Sequence, residues 1–333
     1  MKKRIFISAL AITLVNLIVS FVIIYQIRED TNHFKNERNE IARMLNFNER
    51  LLDVKEAIPL FGDWVWDNKK DRYEDEVRLA NQSYSDAKDN VWWLILVNLI
   101  YGVVLITLFL KREKHFTFTL IFTTYAAVAL TGGVFTPMLE LEAFKENLEI
   151  KVEIDAKEMM QDLQSGINKI PFIGSTLDEY IEELLPSIDG DKYKWHKVYP
   201  DKMYFFYENK GIFDVLKTLW KTDNIPIAII VGVFSFIVPT IKLFFSYIIL
   251  FSPLRNVNRL KLFVDKITKF SMVDVFVIAL FITYFTFDEL SSGVDTQSNA
   301  LMGVYFFTCY VLLAIISNYT LERFIDRKFK VQG

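Results

Sequence analysis

The chain has 333 residues, 52% of them hydrophobic, with one cysteine, three histidines and a formal net charge of −3. One cysteine excludes a disulfide framework and a cysteine zinc site, the dispersed His33, His115 and His196 argue against a histidine metal site, and the balanced charge leaves no nucleic-acid footprint. The apolar residues gather in runs of about 17–25, each long enough to cross a bilayer as a helix, which excludes a cytosolic enzyme.

Six spans are predicted, over residues 4–25, 91–110, 116–137, 226–251, 271–287 and 300–317. The first follows Lys2, Lys3 and Arg4. Its run is longer than a signal-peptide core and no small-residue cleavage site follows, so it reads as an uncleaved anchor. Lys111, Arg112 and Lys114 sit between spans two and three. Arg255, Arg259, Lys261, Lys266 and Lys269 lie between spans four and five, and Arg323, Arg327, Lys328 and Lys330 follow span six. The loop 288–299 has no Lys or Arg. Positive charge on alternate short loops predicts cytoplasmic termini, with residues 28–90, 138–224 and 288–299 on the other side of a plasma (inner) membrane.

Residues 28–90 form the first of these segments. Ile41, Leu45, Leu52 and Ile58 recur at helical multiples, as do Tyr73, Val77, Ala80, Tyr84, Ala87 and Val91. Pro59, Gly62 and Asp67 mark a turn between the halves. The expectation is an antiparallel helical hairpin with a coiled-coil seam standing on spans one and two. Trp64 and Trp66 fall near its tip, where they either pack the turn or anchor a partner.

Span three ends in Thr131–Gly132–Gly133–Val134–Phe135–Thr136–Pro137. Gly132, Gly133 and Pro137 suggest a broken helix lining a path, or small residues packed against a neighbouring helix; the three breakers in six residues tilt the reading toward a break. Residues 138–224 then predict a small α+β cap. Leu148, Ile150, Val152 and Ile154 alternate with charges as a half-buried strand. Helices are expected over 156–166 and 175–185, then a hairpin of 192–199 with 202–207 around a turn at Tyr199–Pro200–Asp201–Lys202. Residues 211–220 read as a short amphipathic helix, either at the membrane interface or packed on the cap.

Lys242 lies inside span four, one turn after Pro239 and about 13 Å of helix from the cytoplasmic end. A lysine there costs several kcal/mol unless it pairs, snorkels or meets a wet cavity. Pro239 removes a backbone bond and predicts a kink that frees the Ser235 carbonyl. Asp274 in span five falls at a similar depth, so a Lys242–Asp274 pair is geometrically reasonable, whether as a static tie or as part of a polar cluster for a headgroup or proton. Asn16 and Asn98 suggest an interhelical hydrogen bond, and Cys309 a small buried hydrophobe.

Four pieces of this sequence carry a resemblance. They are Pro137 with Met138–Leu139–Glu140–Leu141; Gly211–Ile212 through Leu219–Trp220; Ala228–Ile229–Ile230 through Val238–Pro239–Thr240–Ile241–Lys242–Leu243; and Phe270–Ser271–Met272–Val273–Asp274–Val275–Phe276. In that order they resemble the paraquat-inducible protein A integral membrane family over about residues 116–320, less the cap. The resemblance implies a four-helix membrane module that works with MCE-type partners in moving lipid across a diderm envelope. It also implies that Lys242, Ser271 and Asp274 line or gate a lipid-handling pocket. Longer members have two modules and zinc ribbons; this chain has one module and no ribbon, and adds two N-terminal spans.

The predicted architecture is therefore mainly α. A two-span unit with a hairpin (1–115) precedes a four-span module carrying an inserted cap (116–320) and a tail (321–333). The function expected is non-enzymatic lipid transport with an envelope partner, with no cofactor. A membrane sensor or scaffold using the hairpin is the alternative. An enzyme is disfavoured, since no nucleophile–base set or glycine-rich phosphate loop is visible.

Overall fold

The computed structural model describes residues 3–47, 62–111, 113–154, 193–251, 279 and 294–330. In chain order these form α1 (Lys3–Met44), α2 (Gly62–Phe109), α3 (Lys114–Phe135), β1 (Leu139–Ile154), β2 (Tyr193–Lys210), α4 (Ile212–Lys221), α5 (Ile225–Gly232), α6 (Val238–Phe251), β3 (Asp295–Ala300) and α7 (Met302–Lys330). Among the described residues, five helices are long and apolar enough to cross a membrane: α1, α2, α3, the run Ile225–Phe251 and α7. They match predicted spans one to four and six. Span five (apart from Ala279), with Ser271 and Asp274, the two cap helices, Leu52 and Ile58 lie outside the described residues.

The spans share a core that fixes their alternation. Ala9 near the start of α1 meets Tyr101, Leu105 and Phe109 at the end of α2. Phe116 and Leu120 at the start of α3, Ile249 and Leu250 at the end of α6, and Leu321 and Phe324 late in α7 complete the cluster. A second cluster joins α3 to α4, α6 and α7 through Ala126, Leu130, Val134, Ile212, Leu243, Val304 and Phe307. Outward-facing residues are also apolar, as hydrocarbon rather than water would allow: Val15 and Ile18 on α1, Phe244 on α6 and Leu312 on α7 are all exposed.

α1 has 42 residues and α2 has 48. At 1.5 Å per residue each is about 63 Å or longer, roughly twice the hydrocarbon thickness, so both run well beyond their apolar halves. The seam predicted between them is present: Ile41, Leu45, Ala80 and Ala87 are buried, and Tyr73, Val77, Tyr84 and Val91 pack beside them. α2 begins at Gly62, which places Trp64, Trp66 and Asp67 in its first turns rather than in a loop.

The sheet departs most from the sequence reading. β1 starts two residues after Pro137, well ahead of the alternation at Leu148, and is the central strand of an antiparallel order β2–β1–β3. The predicted hairpin turn at Tyr199–Lys202 is instead part of one 18-residue strand, β2. Pro200 and Asp201 sit opposite Asn147 at a register shift, with Asn147 at φ 49°. A proline has no N–H for the ladder, and a bulge is where a strand tolerates one. A second shift, at Ala143/Phe144, absorbs Phe205. The loop predicted at 288–299 contributes β3, which pairs Asp295–Ala300 with Phe144–Leu139.

The sheet is one body with the α1–α2 pair. Ile41, Ala42, Leu45 and Ala80 share a core with Phe144 and Tyr204, and the Tyr204 N–H donates to the Leu45 carbonyl at 2.9 Å. α4 buries only Ile212 and leaves Phe213 and Trp220 exposed, the pattern of the interfacial alternative.

Candidate functional site

Two polar centres stand out. The first is in the run Ile225–Phe251. Pro239 cannot donate to the Ser235 carbonyl, and the helix answers with a π-helical turn over Val233–Ile237, closed by the Val238 N–H on the Val233 carbonyl. Such turns inside a helix are frequent at functional sites. Beyond it, α6 turns Pro239, Lys242, Leu243 and Ser246 inward, while Ile241 and Phe244 face out. Lys242 is 5% exposed and the Ser246 hydroxyl donates to its carbonyl at 2.9 Å. The lysine therefore points into the bundle, as an intramembrane charge must.

α6 packs on α3, whose inward face is rich in hydroxyls: Thr117, Thr119, Thr123 and Thr124 are all buried. Thr123 bonds Ser317 of α7 at 2.8 Å. Thr124 receives the Tyr247 hydroxyl at 3.0 Å, lies 3.0 Å from Tyr101 of α2, and Tyr101 reaches Thr13 of α1 at 3.0 Å. Four spans are thus tied by one string of hydroxyls. The predicted tie between Asn16 and Asn98 is present at 3.1 Å, with Asn98 also donating to Ser20 at 3.2 Å.

The glycines of span three do not break it. α3 runs regularly to Phe135, and the Thr136 N–H still bonds the Gly132 carbonyl at 3.2 Å. A Cβ at Gly132 would lie 2.9 Å from the Phe306 ring, and one at Gly133 2.9 Å from the Phe307 backbone nitrogen. Their role is close approach to α7, the other reading of the sequence. Pro137 is the joint between α3 and β1, and its carbonyl accepts the Gly303 N–H at 2.9 Å. Cys309 is exposed on the side of α7 rather than buried, because α7 turns its inward face through Phe307 and Tyr310.

The second centre was not read from the sequence. Glu140 and Glu142 alternate with Leu139, Leu141 and Ala143, so both carboxylates share one face of β1, and that face is buried. Arg38 of α1 meets them. Its Nε donates to Glu140 Oε1 at 2.9 Å, and its terminal nitrogen pairs with Glu142. The Tyr207 hydroxyl donates to Glu140 Oε1 at 2.7 Å, Asn299 of β3 to Glu140 Oε2 at 3.1 Å, and Lys202 stands 3.6 Å from Glu142. Two carboxylates face two cations, so the cluster is neutral as a whole. Burial, and then the charge of Glu140, push the Tyr207 phenol well above its ordinary range, so it remains a donor. Burial and Glu142 do the same at Tyr204. The period-two pairing of glutamates just after Pro137 was the available signal.

Beside it, Lys35 of α1 bonds Asp214 Oδ2 at 2.6 Å, and the same oxygen accepts the Gly211 N–H at 3.0 Å, capping α4. Among the described residues no group of three or more His, Cys, Asp or Glu could hold a metal ion.

Residues 202–324 match the family model Paraquat-inducible protein A, consistent with a member of that family. The matched stretch takes in Pro239, Lys242, Ser271 and Asp274, and leaves Gly132, Gly133, Pro137 and the α1–α2 pair outside. Neither the curated proteins nor the solved structures include a match to the chain.

Proposed function

We propose that this membrane protein of the paraquat-inducible protein A family takes part, without enzymatic chemistry, in moving phospholipid across a bacterial envelope. Lys242 is the centre of the site. The observation that carries the reading is a lysine turned inward at mid-span, beside hydroxyl-rich α3 and one turn after a π-turn, within the matched family stretch. A buried ammonium in hydrocarbon attracts a phosphate or a carboxylate, and Asp274 and Ser271 of the same matched stretch are the proposed neighbours. The membrane is the inner membrane, with both termini cytoplasmic and the sheet on the other side, where an MCE-type protein would receive or deliver lipid.

The test is native mass spectrometry with lipidomics on the detergent-purified protein, wild type beside Lys242→Ala. Wild type should retain a phospholipid class that the variant loses. Equal retention in both would remove Lys242 from the lipid site. Reciprocal exchange, Lys242→Asp with Asp274→Lys, should restore transport lost in either single variant if the two side chains pair.

A sensor or scaffold role remains the second reading, because α1 and α2 run unbroken from their apolar halves to the sheet. A partner that bound the hairpin and signalled while Lys242→Ala was silent would favour it.

A further inference from the structure

A groove of about 240 Å³ opens sideways between α2, α3 and α7. Its wall includes Leu94 and Leu99 of α2, Val128 and Ala129 of α3, and Phe306 and Cys309 of α7. It exists because α3 holds its two neighbours in different ways. Gly132 and Gly133 let α7 close on α3, while Gly102 of α2 admits the Tyr125 hydroxyl, where a Cβ would be 2.3 Å away. α2 and α7 are thus each seated on α3 without closing on one another.

The amide and the phenol along this wall are already used. The Tyr125 hydroxyl donates to the Asn98 carbonyl at 2.6 Å, and the Asn98 side chain is bonded to Asn16, Ser20 and the Leu94 carbonyl. What faces the groove is apolar. Water needs two or more polar partners in such a space, and an apolar cavity of about 150 Å³ already suffices for a benzene ring.

The level of the groove is set by Trp92 and Trp93, which are 69% and 60% exposed and stand immediately before Leu94. Paired exposed tryptophans mark a membrane interface. Leu94 to Leu99 descends about 8 Å from it, and Phe306 to Leu313 covers about 10 Å along α7. The groove therefore lies just inside the hydrocarbon, elongated along the helices, as an acyl chain lies.

We infer that this groove is a seat for one acyl chain of a bilayer phospholipid, with its headgroup at the level of Trp92 and Trp93. The inference deepens the lipid-handling reading but stands on a different part of the chain. α2 and α3, which form two of the three walls, lie outside the matched family stretch. The seat takes a tail and not a headgroup, because among the described residues its lining carries no charged side chain and no unbonded polar group beyond the weakly donating Cys309 thiol.

The test uses full-length protein in nanodiscs of phosphatidylethanolamine and phosphatidylglycerol, with a trace of phosphatidylcholine carrying a diazirine midway along one chain. After irradiation, adducts are mapped by mass spectrometry. They should concentrate on Leu94, Leu99, Phe306 and Cys309, at least about tenfold over the equally lipid-facing Val15, Ile18 and Phe244, the ratio that 1.4 kcal/mol of preferred residence gives. Leu99→Trp and Cys309→Trp fill the groove from opposite walls, and each should return its adducts to the Val15 level while the protein stays monodisperse. Even labelling of all seven positions in wild type overturns the inference, whether or not either variant folds. Groove labelling with unchanged lipid retention in Lys242→Ala would leave this seat standing and remove the span-four site; even labelling with loss of retention would do the reverse.

Discussion

The membrane-spanning bundle and the sheet assembly bury polar groups by opposite means. In the bundle the buried groups are mostly hydroxyls and amides, satisfied by the helix's own carbonyls or by one another, as with Thr123–Ser317 and Asn16–Asn98. In the sheet assembly full charges are buried, Glu140 at 3% and Glu142 at 1%, and Arg38 and Lys202 compensate them. The difference teaches what each environment tolerates. Hydrocarbon offers no rescue for a charge whose partner fails, so a bundle gains cohesion from close approach and neutral bonds. The sheet assembly can bury carboxylates because their cations, Arg38 and Lys202, are themselves partly exposed to solvent. Among the described residues of the spans, Lys242 at 5% exposure is the buried charge that departs from this pattern, and that departure marks it as the candidate site.

The comparison breaks most sharply at Arg38. Arg38→Met should destabilise the protein by about 3–5 kcal/mol, since two buried carboxylates lose their main cation. Protease should then reach the α1–α2 hairpin under conditions where wild type resists. If Arg38→Met instead melts within a degree of wild type, the cluster is not holding the two parts together.

The bundle is more sensitive to volume than to charge. Gly133→Ala and Gly303→Ala place a methyl against backbone, at 2.9 Å from Phe307 N and 2.6 Å from the Pro137 carbonyl. Each should cost about 1–3 kcal/mol. Gly132→Ala meets Phe306 first at ring carbon Cγ, 2.9 Å away, a side-chain atom that a change of χ1 can shift where backbone cannot yield, so its cost should be smaller. Thermal unfolding in detergent would check the order, and equal losses at all three would contradict the close-approach account.

Smaller still is the hydrogen bond between α1 and α2. A double-mutant cycle of Asn16→Leu and Asn98→Leu should give a coupling near the membrane average of about 0.6 kcal/mol. A comparably small effect is expected at Lys35→Ala. Asp214 is 42% exposed and keeps its bond to the Gly211 N–H, so the loss should stay under about 1 kcal/mol.

Long apolar runs made the spans legible, and helical recurrence from Tyr73 to Val91 made the seam between α1 and α2 legible. The sheet was legible only in part. Tyr199–Pro200–Asp201–Lys202 has every local mark of a turn, and only the partner strand decides that it is a bulge. β3 reads Asp-Thr-Gln-Ser-Asn-Ala, with no apolar alternation, because its place comes from backbone pairing to β1 and from Asn299 on Glu140. Gly132 and Gly133 looked like breakers because their neighbours Phe306 and Phe307 are remote in sequence. The groove was not legible at all, since it is a space left by three helices and no residue names it. Lys242 could be picked out from one span alone, because the cost of a charge in hydrocarbon needs no knowledge of its neighbours.

One consequence follows from how the strands are joined to the helices. β1 follows α3 after three residues, β2 runs into α4 through Gly211 alone, and β3 runs into α7 through Leu301 alone. Leu301 N–H on the Met138 carbonyl and Gly303 N–H on the Pro137 carbonyl extend the ladder to the helix ends themselves. A strand cannot slide by one residue without turning its inward face out, so the three strands travel together or not at all. Whatever grips the far end of β1 and β2 therefore holds a handle whose other end is bolted to α3, α4 and α7, and a tilt applied there arrives as a tilt of the bundle.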